Sequence, residues 1–463
     1  MLVGGKPLAE SPTEERLRLL GEAEAFKKEF ERKLAPIECL SPRSPAVFIS
    51  VGGGELGDLA LTAAGRLLGG ANGGVKTVVF DRYERFPAQD SADAYEIFDM
   101  LNGDRLEEAI KKYVPDPDEP HAIYLEIERV DTFRVCRLGI DDGYRVASTP
   151  YGPLICMDRH MTKLMFDRLN LPRVEWAYAG SPEEIRKTAR DFNLPVIIKP
   201  LMTSSGHGTT IAHQWSDVEE AYDFAVKHAR GKGSEVVVER FLPELKSRGT
   251  EITQLVVRHF NGDGKIVTSM LPPVEHRRPG ATYHESWLPA TIPEEAVRKC
   301  QESAGKIAEF IGGLGIFAVE QFYVEGEIYN NEVANRPHDT GMITRWMLNL
   351  DEGAVQLLST LGLPILEGDL EFARRGVYGV AHVVLAPKRE DHREAPVKCW
   401  RLWEVKRYME AKGYQGDLWY FGKPAAYPGR RMGLAVAFHE NLEEARKRAE
   451  EIAHYTESRI FYG

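Results

Sequence analysis

The sequence predicts a modular protein that joins an α/β domain to domains of mixed α+β type. The chain of 463 residues is too long for one ordinary core. A strand, a glycine-rich turn and a helix follow one another from Ala46, which is how an open α/β sheet begins. After Asp158 the strands are rich in β-branched and aromatic residues and are mostly joined by short turns, which indicates an antiparallel sheet.

The predicted elements divide the chain into four parts. In order, they are a helical appendage, a Rossmann-like α/β domain, a central domain and a small β-rich C-terminal domain, at residues 1–44, 45–155, 156–365 and 366–463. The appendage contains Ser11-Pro12-Thr13-Glu14, the pattern of a capped helix start. Ligands of the α/β domain are expected at its strand tips, which we predict at Val51, Asp81 and Glu128.

Composition and charge argue against several classes of function. The formal net charge of −11 does not suit a general nucleic-acid binder, because such proteins need a basic surface. No apolar run is long enough to cross a bilayer and the first residues lack the pattern of a signal peptide, so we expect neither secretion nor membrane binding. The five cysteines are scattered without paired spacing, which fits a reducing cytoplasm.

The first glycine-rich loop has two interpretations. Gly52-x-Gly54-x-x-Gly57, with Asp81 at the end of the next strand, fits a dinucleotide-binding turn and therefore an NAD enzyme. Glu55 argues against this, because its carboxylate would repel a pyrophosphate at the helix N-terminus. The loop equally fits a turn kept for tight packing, or a site where Glu55 contacts a substrate amine or hydroxyl.

The second glycine-rich loop, MTSSGHG at residues 202–208, directly follows a strand that ends in Lys199 and Pro200. A fixed cation beside exposed backbone N–H groups suits a polyphosphate. Taken alone, the loop also fits a plain hairpin tip.

Two carboxylates strengthen the polyphosphate interpretation. Glu320 and Glu332 lie on neighbouring predicted strands, and Asn335 follows three residues later. Oxygen ligands of this kind hold the magnesium that bridges phosphates, whereas strand-end charges without a function would simply be solvated. A lysine, a glycine-rich lid and paired carboxylates together predict magnesium–ATP chemistry.

With these residues in place, the sequence resembles the ATP-grasp superfamily, and within it the formate-dependent phosphoribosylglycinamide formyltransferase family. The resemblance runs from about residue 46 to the end and rests on GGGELG, FDRYERFPA, IKPLMTSSGHG, ESWLP, EVANRPHDTGM and FGKPAAYPGRRMG. It implies an ATP-grasp fold with a lid subdomain at about residues 161–243. It also implies that formate attacks the γ-phosphate of ATP to give formyl phosphate, which the amine of glycinamide ribonucleotide then attacks, without folate. Homodimers are typical of the family.

The resemblance assigns contacts motif by motif, and it requires no catalytic nucleophile. ATP is expected at Arg159, Lys199, Ser204, Ser205, Gly206, His207, Gly208 and Thr209, with its adenine at Glu239 and Leu242 and its ribose at Glu251. Magnesium is expected at Glu320 and Glu332. The ribonucleotide is expected at Glu55, Leu56, Glu126, Asp339, Lys423, Arg430 and Arg431. The last three place three cations within nine positions of an acidic chain, which suits a substrate phosphate.

Some positions depart from the family pattern or stay open. The family's lid usually carries lysine at His207, and Asn335 stands where serine is frequent. Because LPELKSRG lengthens the segment before Glu251, Glu244 is a second candidate for the ribose. His338 fits either a phosphate or formate contact or a loop brace. His276 and Arg277 fit a charged surface, and Trp287 fits packing.

Two rival functions remain beside the NAD enzyme. One is a sister ATP-grasp enzyme that activates bicarbonate, the carboxyaminoimidazole ribonucleotide synthetase; PHDTGM and the Gly429-Arg430-Arg431 turn argue against it. The other is a nucleotide-binding regulatory protein without catalysis, which the presence of both metal carboxylates disfavours.

Overall fold

The structure of the chain is a computed structural model. It describes residues 2–3, 6–7, 11–203, 206–229, 233–279, 283–387 and 394–463, with the backbone alone at 2–3 and 6–7. The predicted lid residues Ser204 and Ser205 lie outside the described residues. Within these ranges, none of the helices has both the length and the apolar character needed to cross a membrane.

The helix of the N-terminal part packs on the central domain. It consists of the strand pair β1 (Leu2–Val3) and β2 (Lys6–Pro7) and the long helix α1 (Pro12–Lys33). The predicted cap is confirmed, because the Ser11 and Glu14 side chains form a capping box. Leu20 and Ala23 of α1 are buried in one apolar cluster with residues of the central domain.

The α/β domain is a four-stranded parallel sheet in the order β5-β4-β3-β6. Its strands are β3 (Ala46–Val51), β4 (Val75–Asp81), β5 (Ala94–Ile97) and β6 (His121–Leu125). Its helices are α2 (Glu55–Leu68), α3 (Gly103–Tyr113) and α4 (Thr132–Asp141). The predicted end of the third long strand at Glu128 is wrong. The strand stops at Leu125. The three residues that follow, Glu126, Ile127 and Glu128, leave the sheet and line a cavity.

Two helices, α5 (Gly152–Met157) and α6 (Arg159–Arg168), lead into a second, antiparallel sheet of four strands in the order β7-β10-β8-β9. The strands are β7 (Trp176–Ala179), β8 (Val196–Pro200), β9 (Thr210–Ala212) and β10 (Val236–Arg240). Helices α7 (Pro182–Thr188) and α8 (Val218–Lys227) cover it, and α9 (Pro243–Arg248) is formed by the inserted LPELKSRG segment.

A nine-stranded sheet forms the centre of the molecule, in the order β16-β15-β11-β13-β14-β17-β21-β19 with β12 paired to β11. Its first six strands are β11 (Gly249–Phe260), β12 (Ile266–Met270), β13 (Val274–Arg277), β14 (Glu285–Leu288), β15 (Gly315–Val324) and β16 (Glu327–Ala334). Helices α10 (Glu294–Ile311), α11 (Thr344–Met347) and α12 (Glu352–Leu361) accompany them. All strand pairs are antiparallel, as predicted.

The C-terminal strands continue the same sheet. They are β17 (Tyr378–Leu385), β19 (Gly416–Tyr420) and β21 (Arg431–His439), while β18 (Ala395–Trp400), β20 (Ala425–Ala426) and β22 (Ile460–Tyr462) form a small separate sheet. Helices α13 (Leu402–Lys412) and α14 (Leu442–Glu457) complete this region.

Helix α12 holds the α/β domain against the central sheet by packing on α2. A Cβ atom at Gly353 of α12 would lie 2.7 Å from the carbonyl carbon of Leu59 in α2. Only glycine therefore permits this close approach of the two helices. Residues of both helices and of the central strands share one buried core. Residues at the tips of the parallel strands therefore line the same cavity as residues of the central sheet.

Candidate active site

A cavity of about 610 Å³ lies where the α/β domain, the four-stranded antiparallel sheet, the central sheet and the C-terminal segment meet. Most of the residues predicted from sequence line it: Glu55, Leu56, Glu126, Arg159, Lys199, Gly206, Thr209, Glu251, Glu320, Glu332, Asp339, Lys423, Arg430 and Arg431. His207, Gly208, Glu239 and Leu242 do not line it. The fold thus brings together residues that the sequence places in three different domains.

The two predicted metal carboxylates face each other across β15 and β16. Glu320 and Glu332 are direct cross-strand partners, and a β-bulge follows at once. Arg159 binds Glu332 through both Nε and Nη2, at 2.9 and 3.2 Å. Burial alone would raise the pKa of Glu332, but Arg159 and Lys199 outweigh it and lower the pKa below its ordinary value. Both Glu332 and its neighbour Glu320 are therefore held as carboxylates, the form that binds a cation.

The bulge gives Asn331 a position that no sequence pattern signals. Lys199 Nζ donates to Asn331 Oδ1 at 3.0 Å, and Lys163 Nζ donates to the Asn331 carbonyl oxygen at 3.0 Å. The extra residue of a bulge commonly re-aims a side chain next to an active site. Here it fixes two buried ammonium groups beside the carboxylate pair.

Glu239 lies behind the cavity wall and joins the same two lysines. Its carboxylate oxygens are 2.7 Å from Lys163 Nζ and 2.7 Å from Lys199 Nζ. Burial would raise the pKa of Glu239, but the two ammonium groups outweigh it and lower the pKa to about 2. Its side chain therefore positions Lys199, and the adenine role that the family resemblance assigned to Glu239 and Leu242 stays a prediction.

The lid loop after β8 has the conformation that its glycines permit. Gly206 and Gly208 have φ angles of 70° and 75°, in the left-handed region. Thr203 Oγ1 donates to the His207 carbonyl oxygen at 2.9 Å, which closes the loop on itself. Gly206 and Thr209 reach the cavity, whereas the His207 side chain is exposed.

Glu251, not Glu244, reaches the cavity. Glu251 pairs in register with His276 of β13, and Arg278 Nε lies 3.5 Å from its carboxylate. Burial raises the pKa of Glu251 to about 7 despite this arginine. The interpretation of His276 as charged surface is wrong: β11 and β14 flank β13 on both sides, and the imidazole is 1% exposed.

The side chains of Arg277 and Arg278 point to opposite sides of the chain, because successive side chains alternate along an extended segment. Arg277 is exposed, whereas Arg278 points to the cavity side that it shares with His276. Because side chains alternate between the two faces, Val274, His276 and Arg278 lie on one face, and this pattern could have identified Arg278 from the sequence. Trp287 is buried, with its Nε1 donating to Glu275, so its prediction as a packing residue is confirmed.

The opposite end of the cavity contains the predicted ribonucleotide contacts. Lys423 Nζ lies 3.0 Å from Glu55 Oε2, and Arg431 forms ion pairs with Asp339 and, at 3.7 Å, with Glu55. Burial would raise the pKa of Glu55, but Lys423 and Arg431 outweigh it and lower the pKa. Arg430 donates to the Ala425 carbonyl oxygen at 2.8 Å and lies further from this network.

The first glycine loop binds carboxylates of its own chain. The Gly53 N–H donates to Asp81 Oδ2 at 2.9 Å, and the Gly54 N–H donates to Glu126 Oε2 at 3.4 Å. Burial, with Glu55 nearby, raises the pKa of Glu126 to about 8. Because these N–H groups already have anionic or acidic partners, the loop does not offer a pyrophosphate site and the geometry disfavours the NAD interpretation.

His338 connects the two ends of the cavity. Its Nε2 lies 2.8 Å from Glu320 Oε1, and its Nδ1 lies 2.9 Å from Thr340 Oγ1. Its backbone N–H donates to the buried Glu352 at 2.9 Å. The side chain therefore braces the loop and contacts a predicted metal ligand at the same time. Asp339, the next residue, faces the ribonucleotide end through its ion pair with Arg431.

The donor set fits magnesium bound together with a nucleotide. Across the described ranges, no group of three or more histidine, cysteine or acidic side chains is arranged to hold a metal alone. Magnesium does not need such a group, because it binds through one or two carboxylates and completes its shell with phosphate oxygens and water. Glu320 and Glu332 would provide that pair, and Asn335 lines the same cavity.

Comparisons with known proteins agree with this geometry. The ATP-grasp domain family matches residues 164–351, and the family described as PurT, C-terminal, matches residues 404–455. Solved structures share the whole fold: a carboxyaminoimidazole ribonucleotide synthase from Aspergillus clavatus, complexed with ATP, has a TM-score of 0.73 at 19% identity and covers 89% of this chain and 99% of its own. A structure described as glycinamide-RNase-transformylase T from Mycobacterium tuberculosis has a TM-score of 0.66 at 21% identity, covering 90% and 100%. The fold is therefore an ATP-grasp fold.

Curated relatives define the family within that class. Formate-dependent phosphoribosylglycinamide formyltransferases from Sulfurisphaera tokodaii and Syntrophotalea carbinolica are 35% and 36% identical to the chain. The first match covers 87% of this chain and 94% of the relative, and the second covers 89% and 96%. The chain belongs to the formate-dependent phosphoribosylglycinamide formyltransferase family.

Proposed function

We propose that this protein uses ATP and formate to formylate glycinamide ribonucleotide, giving formylglycinamide ribonucleotide, ADP and phosphate. One observation supports this most directly. A single cavity contains a cation-flanked carboxylate pair at one end, Glu320 and Glu332, and a cationic substrate end at the other, with Lys423 and Arg431. The names of the relatives supply formate and the ribonucleotide as the substrates, and the ATP-grasp fold supplies the nucleotide.

The reaction balances in two steps. A formate oxygen attacks the γ-phosphorus of ATP, the bond to the bridging oxygen breaks, and ADP leaves. The amine of the ribonucleotide then attacks the carbonyl carbon of formyl phosphate, the C–O bond to phosphate breaks and phosphate leaves, and the proton of the amine passes to solvent. Neither step needs a nucleophile from the protein, because phosphoryl transfer depends mainly on alignment and on neutralised charge.

Residues of the chain would bind and orient the reactants. Lys199 and Arg159 would neutralise the phosphates, and Lys199 is held in place for this by Glu239 and Asn331. Magnesium held by Glu320 and Glu332 would supply further positive charge to the phosphate oxygens. Ser204 to Thr209 would close over the phosphates, with the adenine at Glu239 and Leu242 and the ribose at Glu251.

At the other end, Lys423, Arg430 and Arg431 would bind the ribonucleotide phosphate, and Glu55, Leu56 and Asp339 would hold its remaining groups. Glu126 would act here as a neutral acid near pH 7, since burial raises its pKa to about 8. A neutral Glu126 adds no second negative charge beside Glu55. This keeps the wall compatible with an anionic substrate.

The proposal also covers the domains, the oligomeric state and the compartment of the protein. The α/β domain at 45–155, the ATP-grasp domain at 156–365 and the C-terminal segment at 366–463 would each contribute one wall of the site. We also propose a homodimer that works in the cytoplasm without folate, nucleic acid or membrane partners. The five cysteines are all free thiols, which supports a reducing compartment. Light scattering of the purified protein measures its oligomeric state.

The direct test supplies ATP, formate and glycinamide ribonucleotide without folate and measures ADP and the formylated product. We expect both products in equal amounts, and none when formate is left out. The alternative, a carboxyaminoimidazole ribonucleotide synthetase, predicts ADP formation with bicarbonate and aminoimidazole ribonucleotide instead. ADP that forms with bicarbonate but not with formate would overturn the proposal.

A further inference from the structure

The guanidinium of Arg278 bridges two carboxylates inside the cavity. Its Nη2 lies 2.7 Å from Glu320 Oε1, and its Nε lies 3.5 Å from Glu251 Oε2. The side chain is 17% exposed, so water provides little of its solvation. These two carboxylates therefore supply negative charge that compensates Arg278.

Under the proposed function, both partners are needed by ligands. Glu320 would bind magnesium and Glu251 would bind the ribose, so each carboxylate would share its negative charge between a ligand and Arg278. A largely buried guanidinium is costly unless anions compensate its charge. A further anion beside Arg278 would therefore be stabilising.

The phosphate chain of ATP is the anion in the right place. It connects the ribose to the phosphates that the metal would bind, so with the proposed roles its path would run between Glu251 and Glu320, the two groups that Arg278 bridges. A guanidinium also matches phosphate oxygens with two parallel N–H donors. Arg159 contacts Glu332 on the other side of the carboxylate pair, so cations approach this position from both sides.

We propose that Arg278 binds the phosphate chain of ATP, from its position in the cavity between the carboxylates Glu251 and Glu320. The inference rests on the proposed function for the nucleotide and metal roles of Glu251 and Glu320. It adds to the site a residue that the family motifs did not assign.

A purely neutralising role predicts the opposite result. If Arg278 only compensates the charges of Glu320 and Glu251, its removal leaves both carboxylates available to magnesium and ribose. Nucleotide would then bind as tightly as before, or more tightly. The two roles are therefore separated by the direction of a change in affinity.

The experiment measures nucleotide binding by calorimetry, without formate or ribonucleotide, for the full-length protein and two matched variants. Arg278→Gln removes the cation, and Arg277→Gln is the control, since Arg277 is the adjacent exposed arginine. We expect Arg278→Gln to weaken the binding of ATP with magnesium by about tenfold or more, which is about 1.4 kcal/mol. The affinity for adenosine, which lacks phosphate, should not fall, and Arg277→Gln should match the unmodified protein.

Unchanged or tighter ATP binding by Arg278→Gln overturns the inference, and so does an equal loss of ATP and adenosine affinity. Arg278→Lys keeps the charge but loses the paired donors, and it should bind ATP with intermediate affinity. This variant provides the same test if Arg278→Gln does not fold, as judged by its melting curve. An unmodified protein that fails to bind ATP would instead contradict the proposed function.

Discussion

Glu320 and Glu332 are direct cross-strand neighbours, yet each carboxylate has its own set of basic side chains as partners. Glu320 contacts Arg278 and His338, whereas Glu332 contacts Arg159 and, at 3.8 Å, Lys199. Two carboxylates this close would repel each other without such partners. Basic side chains of the chain thus allow two carboxylates to lie side by side, the pair that would hold a metal.

Glu332→Gln should abolish ADP formation, because the amide cannot replace a carboxylate as a magnesium ligand. Loss of metal stabilisation amounts to several kcal/mol of barrier, on the order of a thousandfold in rate. Steady-state ADP release measures it, with Glu327→Gln as the control at an exposed position of the same strand. Near-normal turnover of Glu332→Gln would mean that the metal lies elsewhere.

Arg430→Ala and Arg431→Ala should chiefly raise the KM for the ribonucleotide, and Arg431→Ala should raise it more. Arg431 contacts Asp339 and Glu55 in the cavity, whereas Arg430 bonds to the Ala425 carbonyl oxygen and to Glu394, which does not line the cavity. A lost charge-assisted hydrogen bond costs about 1.5–3 kcal/mol, or roughly tenfold to a hundredfold in KM. The KM for ATP, measured in the same assay, should change little. An unchanged KM for the ribonucleotide would remove either residue from that site.

Glu126 should make the folded protein less stable as the pH rises. The folded chain raises the pKa of Glu126 from 4.5 to about 8, so its contribution is complete below pH 4.5 and is lost as the pH increases through 8. Each pKa unit corresponds to about 1.4 kcal/mol. Glu126→Gln removes this dependence. As the pH rises from 5 to 8.5, the melting temperature of this variant should therefore increase relative to that of the unmodified protein.

The exposed Glu119 provides the control for this comparison, since Glu119→Gln should follow the unmodified protein at every pH. Parallel melting temperatures for all three proteins across the range would show that Glu126 ionises normally in the fold.

Arg16 of α1 should influence ATP binding from outside the cavity. Its Nε donates to Asp158 Oδ2 at 2.8 Å, while Asp158 Oδ1 accepts from the Met161 N–H and caps the helix that begins at Arg159. Arg16→Gln should raise the KM for ATP by about fivefold, the equivalent of one hydrogen bond of about 1 kcal/mol. The ribonucleotide KM should not change.

Lys33→Gln, which removes an exposed ion pair at the other end of α1, is the matched control and should leave both KM values unchanged. A lower melting temperature for Arg16→Gln with an unchanged KM for ATP would limit α1 to a structural role.

The sequence predicted those parts of the site that local pattern determines. Glu320 and Glu332 follow from two adjacent strands, and Lys199 follows from its place before a glycine-rich loop. Asn331 was missed because a bulge is set by the pairing of two strands and not by either strand alone. His276 was misread because the burial of a polar residue depends on the strands that flank it in the sheet.

Lys163 and Arg278 were missed for a related reason. Lys163 lies on α6, whose polar residues fit a solvated face. In the structure its side chain is buried and its Nζ lies 2.7 Å from the Glu239 carboxylate. The family resemblance supplied the predicted substrate residues Glu55, Lys423 and Arg431, which lie too far apart along the chain for a local pattern to group them. In the structure, Lys423 and Arg431 both form ion pairs with Glu55.

The pairing of β14 with β17 has a consequence for dividing the protein. This pair joins the ATP-grasp strands to the C-terminal strands within one sheet, through Glu285 to Leu288 against Gly379 to His382. A chain that stopped before Tyr378 would leave β14 as an open edge, with unpaired backbone groups that can recruit a strand from another molecule. A shortened chain of this kind is expected to aggregate, so gene truncation is a poor route to an isolated nucleotide-binding unit.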